Sequence, residues 1–293
     1  MGFCYKNYAN NIWYRDMILV LGSSGLLGNA LIKKLSDYNI DFVCTRRTSA
    51  RSYLKQNCFI DVKDLTNNIE LEKIINNVKP LVVINCLSLS NEMRKNKNWS
   101  EYLKIYSILP RALEMLSNKY NFKFIQISSD GVFNGIDGFY TEKDKTTATD
   151  IYGVSKILGE PSSINSACIR TSIYGHSLDK NFGLIDWALS RNSCDGFTNY
   201  IFTGMSTLTL SDALINEFIK KDNFGTFHVG GEPISKYELL VKMIKIYDHN
   251  CDVFKNPEPV ANFSLNQDKF KNLSGKGYFN HDTMLNELYV QYT

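Results

Sequence analysis

Two residues four apart, Tyr152 and Lys156 in the stretch DIYGVSKILGE, pair a phenol with an ammonium. On a helix that spacing puts both side chains on one face, where they could act together in proton transfer. Seventeen tyrosines in a Lys-rich chain yield about one such spacing by chance, so the context must carry the reading. Upstream, IQISSDGVFNG closes an apolar run with Ser128, Ser129 and Asp130, which adds a hydroxyl to the phenol and the ammonium.

A second constellation is GSSGLLG, with Gly22, Gly25 and Gly28 between an apolar run and a helical pattern. Glycines there permit a tight turn and close approach of backbone to a pyrophosphate, which the free N–H groups and dipole of the following helix attract. The stretch Gly22, Ser24, Gly25, Leu26, Leu27 and Gly28 is therefore expected to bind a dinucleotide. CTRRTSAR follows about twenty residues downstream. An acidic residue at that point would accept from the ribose hydroxyls of NAD, whereas Arg46 and Arg47 suit a 2′-phosphate, so NADPH is favoured, with NADH as the alternative. Asp61 in FIDVKDL follows another apolar stretch, where a carboxylate could meet the adenine amino group.

These groups need a frame. From Met17 the chain reads apolar run, Gly-rich turn, helical period and second apolar run, a βαβ unit. Further apolar runs at 81 to 86, 122 to 128 and 167 to 172 alternate with helical stretches. The expected fold is α/β, a Rossmann-type doubly wound parallel sheet with ligands at the carboxyl ends of its strands. After about residue 175 the elements become shorter and mixed, with GTFHVGG as a strand and ISKYELLVKMIKIY as a helix. The expected organisation is an N-terminal extension over 1–16, a cofactor domain mainly over 17–174, and a smaller substrate lobe mainly over 175–293. With no Pro/Gly linker between them, the two lobes are not independent.

GSSGLLG, VVINC, ISSDGVFNGIDGFYTE, DIYGVSKILGE, CIRTSIYG and GTFHVGGEPISKYELL together resemble the extended short-chain dehydrogenase/reductases, and among them the dTDP-4-dehydrorhamnose reductase-like sugar-nucleotide reductases. The likeness runs over nearly everything from Met17 onward. It implies that Ser129, three residues before Val132, is the catalytic hydroxyl, with Tyr152 and Lys156 as catalytic tyrosine and lysine. It also implies that Tyr152 and Lys156 touch the cofactor, Lys156 through the nicotinamide ribose, and that Ser129 and Asp130 lie at the sugar. The chemistry of the residues agrees. Hydride delivery to a ketone leaves charge on the oxygen, which needs a proton donor and oriented dipoles. Tyr152 can donate and Ser129 can orient, while Lys156 pulls the tyrosine pKa below its reference of about 10.

Three departures stand out. Gly131 and Ile173 replace aromatic residues typical of rhamnose reductases near the sugar, and Tyr106 in KIYSILPRALEML stands where many relatives have Asn. In the second lobe, Thr203, Gly204 and Ser206 of NYIFTGMST read as a substrate loop, and Trp187 as a core residue.

The implied activity is NADPH-dependent reduction of the C4 ketone of a nucleotide-linked 4-keto-6-deoxy sugar, in surface-polysaccharide precursor synthesis. The nucleotide, dTDP or UDP, stays open, as does a 2-acetamido group. A nucleotide-sugar epimerase with bound NAD is one rival, and a non-catalytic regulatory subunit of the same fold is another. A net charge of +3 offers no footprint for nucleic acid, and no segment has the length of a membrane span. Seven scattered cysteines without a C-x-x-C pair read as buried thiols, and the four histidines lack metal-ligand spacing. The first sixteen residues lack the apolar core of a signal peptide, so the expected location is cytoplasmic. A homodimer is compatible with all of this.

Overall fold

The computed structural model describes residues 17–47, 58–89, 98–178 and 183–293. The proposed extension over 1–16 lies outside them.

The first strand, β1 (Ile18–Leu21), is buried along its whole length, as its unbroken ILVL run requires of a strand covered on both faces. It pairs in parallel with β2 (Phe42–Arg46) on one side and with β4 (Val82–Asn85) on the other. β3 (Phe59–Asp61) lies outside β2. β5 (Lys123–Ile127) and β6 (Ser166–Arg170) continue from β4. The sheet is closed at its far edge by a strand from the second half of the chain, Gly225–His228, parallel to β6. The order is thus β3-β2-β1-β4-β5-β6 plus that edge strand, and the chain reverses direction across the sheet between β1 and β4. A crevice opens at such a switch point, outside the carboxyl ends of the strands.

Alternate residues of each strand feed two apolar layers. Ile18, Val20, Ile84 and Ile125 pack on one side with Leu31 of the helix Leu26–Asp37 (α1) and with Phe218. Leu19, Leu21, Val83 and Phe124 pack on the other with Leu71, Ile75 and Leu113. The seventh strand belongs to GTFHVGG, read from sequence as part of the second lobe. Phe227 is buried there against Phe218, ring centroids 5.1 Å apart, so the division near residue 175 is crossed by the sheet itself.

The rest of the second half builds small sheets. Ser172–Tyr174 pairs with Gly204–Ser206, and Tyr200–Phe202 lies between Ile234–Ser235 and Ala261–Asn262. The helix Lys236–Ile246 begins in a capping box, with Ser235 accepting from the Glu238 N–H and the Glu238 carboxylate accepting from the Ser235 N–H. Among the described residues, no helix is long and apolar enough to cross a membrane.

Candidate active site

The glycine loop is shaped by close approach. Gly22 adopts φ 84°, and a Cβ there would stand 3.1 Å from the Leu87 backbone. A Cβ on Gly28 would run into the Gly22 carbonyl. The loop is tied to the end of β2, where the Gly22 N–H donates to Thr45 Oγ1 (3.2 Å) and Ser23 Oγ donates to the Thr45 carbonyl (2.9 Å). The helix α1 then starts at Leu26 with Gly25 as N-cap, no side chain capping it and no acidic residue in its first turn. Its leading N–H groups and the positive end of its dipole face the crevice, which fits a pyrophosphate and leaves no built-in carboxylate to compete. Ser24, Gly25 and Leu26 are partly accessible, while Leu27 and Gly28 are buried.

Arg46 and Asp61 meet across β2 and β3. Arg46 Nε donates to Asp61 Oδ1 at 2.8 Å, and the guanidinium lies 4.3 Å from the centroid of the Phe59 ring. Arg47 next to it is exposed. The guanidinium of Arg46 lies over the ring and is anchored through Nε. The two residues assigned to different parts of the adenosine thus contact each other.

The candidate catalytic side chains come from the end of β5 and from the helix Ile151–Gly159. Asp150 caps that helix, its carboxylate accepting from the N–H groups of Tyr152 and Gly153. Gly153 packs against the Gly131 carbonyl and Ala148, where a Cβ has no room. The Ser129 hydroxyl accepts from the Gly131 N–H (3.0 Å) and donates to Asp130 Oδ1 (3.1 Å). A Cβ built on Gly131 would lie 3.1 Å from Tyr152 Cε1 and 3.3 Å from Ser129 Oγ, so the phenol ring and the serine hydroxyl converge on this one glycine. Lys156, one turn further along, is buried and donates to the Ile127 carbonyl at 3.0 Å. Its ammonium stands 6.0 Å from the Tyr152 ring centroid.

Behind β5, Glu160 receives the Ser128 hydroxyl (2.6 Å) and both Nε (2.9 Å) and Nη2 (2.7 Å) of Arg170. This bidentate pair locks the end of the helix Ile151–Gly159 to β5 and β6.

Asp130 is buried, and burial raises its carboxyl above the usual range, against the opposing charge of Lys236 and hydrogen bonds from Ser129, the Gly131 N–H and Ser172. Burial also brings Lys236 down to about 8, with the Asp130 charge acting the other way. The Lys236 ammonium sits 3.4 Å from the Phe202 ring centroid and 5.4 Å from that of Tyr200. Tyr200 is pushed up to about 12 by burial and by the charges of Asp130 and Asp150. Lys236 and Tyr200 escaped the sequence reading. The first is hidden as the opening residue of an ordinary capped helix, and nothing marks the second among seventeen tyrosines.

The structure places the other expected residues differently. Thr203 and Ser206 are wholly buried, and Gly204 is buried with them. Thr203 Oγ1 accepts from the Leu265 N–H, and Ser206 Oγ caps the helix Thr207–Ala213. Their hydroxyls serve the framework of the lobe, and the stretch is a strand and helix start instead of an open loop. Trp187 is 38% exposed, with the Arg191 guanidinium 4.8 Å from its ring centroid, so it lies outside the core. Ile173 packs at the margin of the main apolar cluster.

The family model described as the RmlD substrate binding domain matches residues 16–268. The chain belongs to this family. Curated relatives include the dTDP-4-dehydrorhamnose reductase of Aggregatibacter actinomycetemcomitans, 26% identical over an alignment of 243 residues that covers 76% of each chain. The spore coat polysaccharide biosynthesis protein SpsK of Bacillus subtilis is 24% identical over 78% of each chain. The methionine adenosyltransferase 2 subunit beta of Rattus norvegicus is 23% identical over 76% of this chain and 69% of its own. Among solved structures, the dTDP-4-dehydrorhamnose reductase of Bacillus anthracis, in complex with NADP, superposes with a TM-score of 0.79 at 18% identity, covering 95% of this chain and 100% of that one. The RmlD family fold is thus present over almost the whole described chain.

Proposed function

We propose that this chain reduces the C4 ketone of a nucleotide-linked 4-keto-6-deoxy sugar at the expense of NADPH. One observation carries the reading: Ser129 and Tyr152 converge on Gly131 beside the crevice, with Lys156 on the same helix face as the phenol. The RmlD family membership, the reductase among the curated relatives and the NADP complex of the fold neighbour support it. The polysaccharide biosynthesis relative supports a place in the making of a surface-polysaccharide precursor.

The residues fit the cofactor. The uncapped start of α1 and the crowded Gly22 and Gly28 form a cradle for a pyrophosphate, and Arg46 and Arg47 offer cations to a 2′-phosphate. When bound, the nicotinamide supplies the hydride. The chain's own residues do the rest. Tyr152 gives its proton to the carbonyl oxygen as charge develops there, Ser129 orients that oxygen through its hydroxyl, and Lys156 stabilises the phenolate that remains. Asp130, buried against the Ser129 hydroxyl, is set to hydrogen-bond sugar hydroxyls next to the ketone.

The similarity to a protein named as a subunit of methionine adenosyltransferase favours a second reading, a non-catalytic partner of this fold. The complete Ser129, Tyr152 and Lys156 set weighs against it. The test is to offer the purified protein dTDP- and UDP-linked 4-keto-6-deoxy sugars, with and without a 2-acetamido group, while NADPH absorbance is followed. A 6-deoxy sugar with a new C4 hydroxyl is the expected product, and inertness toward every member of the panel would refute the reductase reading.

A further inference from the structure

Tyr106 lies against the catalytic pair although nothing in the proposed mechanism uses it. It is 2% exposed and sits in a π-helical turn, Lys104–Ile108, that interrupts the helical run from Trp99 to Tyr120. Such turns insert a residue into a helix and recur at functional sites. The Lys156 ammonium is 4.6 Å from the Tyr106 ring centroid, nearer than the 6.0 Å that separates it from the Tyr152 centroid. The rings of Tyr106 and Tyr152 meet edge to face, centroids 5.4 Å apart at 88°.

Both ends of Tyr106 are pinned. Its hydroxyl accepts from the Leu89 N–H (3.0 Å) and shares a hydrogen bond with Ser88 Oγ (3.1 Å), in the segment that follows β4 at the crevice. Its carbonyl packs on Gly159, where a Cβ would collide with it, and the next residue, Ser107, donates to the Ser155 carbonyl at 2.7 Å. The ring cannot swing away from the ammonium without breaking these contacts.

We propose that Tyr106 is a positioning residue for proton transfer, its ring holding the Lys156 ammonium and bracing the Tyr152 phenol while its hydroxyl fastens both to the β4 end of the cofactor crevice. This rests on the catalytic reading of Tyr152 and Lys156 given above. The electron-rich face favours the charged lysine in a site poor in water, and a well-held cation in turn keeps the phenol acidic. Among the described residues, the other ionisable groups near the pair are buried or have partners of their own. Cys86 is pushed up to about 12 by burial and Cys168 well above its ordinary value, so neither thiol ionises in the working range. Glu160 is engaged by Arg170, Asp150 caps the catalytic helix, Asp130 accepts from Ser129, and Tyr102 packs edge-on to Tyr106 at 5.8 Å.

The experiment compares Tyr106→Phe, Tyr106→Leu and Tyr106→Met with wild type and with Tyr152→Phe in the full chain, following NADPH oxidation with the 4-keto sugar nucleotide as a function of pH. The phenylalanine variant keeps the ring and loses only the fastening hydroxyl, so its turnover should fall by about threefold, less than in the leucine variant, with its pH profile unmoved. The leucine variant should lose about tenfold in turnover, the order set by one desolvated cation–ring contact. Its alkaline limb, where Tyr152 loses the proton it must give, should shift upward by about half a pH unit or more. Tyr106→Met fills the space without an aromatic face and should give the same shift, which decides the matter if the leucine variant is insoluble. Unmoved limbs in soluble Leu and Met variants, with the usual large loss in Tyr152→Phe, would overturn this inference alone. Full turnover in Tyr152→Phe would overturn the catalytic reading and this inference with it.

Discussion

Gly131→Ala tests the convergence of Ser129 and Tyr152 with a single carbon atom. Gly131 does not occupy the left-handed region, so alanine fits its backbone. Its Cβ would stand 3.1 Å from Tyr152 Cε1 and 3.3 Å from both Tyr152 Cδ1 and Ser129 Oγ. Carbon atoms prefer roughly 3.5–4.0 Å, so the phenol ring has to retreat by about half an ångström. A misplacement of about 1 Å can cost about a hundredfold in rate, so half of that points to a loss of roughly tenfold in kcat. The proposed cofactor cradle at α1 and β2 is untouched, so KM for NADPH should change less than about twofold. Stability should hardly move, because the overpacking cost of about 1 kcal/mol is offset by about 0.4–1 kcal/mol from the stiffer unfolded chain. The assay is steady-state NADPH oxidation alongside urea unfolding. Wild-type kcat in a stable Gly131→Ala protein would refute the claim that ring and hydroxyl work together over this glycine.

Replacing Arg46 and Arg47 together by alanine should remove most of the preference for NADPH over NADH while leaving NADH turnover nearly intact. A wild type that already uses NADH better would show the arginines to be no phosphate clamp. Glu160→Ala strips a side chain only 12% exposed from a bidentate partner that is itself 8% exposed. It should destabilise the fold by about 3–5 kcal/mol in urea unfolding, as expected when one member of a buried pair is deleted, and a change under about 1 kcal/mol would contradict that. Burial holds Lys123 at about 8 in the folded protein, below its ordinary value. The unfolded chain therefore binds more protons between that pH and the ordinary lysine range, and the contribution of Lys123 to stability rises with pH there. The Tm difference between wild type and Lys123→Met should shift in favour of wild type from pH 8 to pH 10, and a flat difference would count against the depressed lysine.

Local pattern reached the first half of the molecule well. The run MILVLG, the glycine spacing and the period of LLGNALIKKL are each contained within a few residues, and they correspond to β1, the loop and α1. Tyr152 and Lys156 were legible for the same reason, since a helix turns their spacing directly into proximity. What escaped depends on pairings between distant parts of the chain. The strand Gly225–His228 reads like any short apolar run, and only its parallel pairing with β6 puts it in the main sheet. Lys236 comes within the electrostatic reach of Asp130 through the pairing of Ile234–Ser235 with Tyr200–Phe202, which no local period announces. Thr203, Gly204 and Ser206 carry loop-like composition, yet Gly204–Ser206 is a buried strand beside Ser172–Tyr174, where hydroxyls are satisfied internally. Trp187 went astray in the opposite sense, its bulk suggesting a core that the short helix Leu184–Leu189 does not provide on that face.

The central claim is an exchangeable NADPH spent on a ketone whose proton comes from Tyr152, and the stoichiometry of nicotinamide tests it most directly. An epimerase has to keep its nicotinamide between half-reactions, whereas a reductase releases oxidised cofactor in every cycle. Purified protein should carry no stoichiometric NAD and should oxidise one NADPH for each 4-keto sugar converted to its C4 alcohol. Tyr152→Phe should slow that oxidation by about two to four orders of magnitude with cofactor affinity little changed. Protein that holds stoichiometric NAD through purification and interconverts 4-hydroxy epimers with no net change in nicotinamide absorbance would contradict the account.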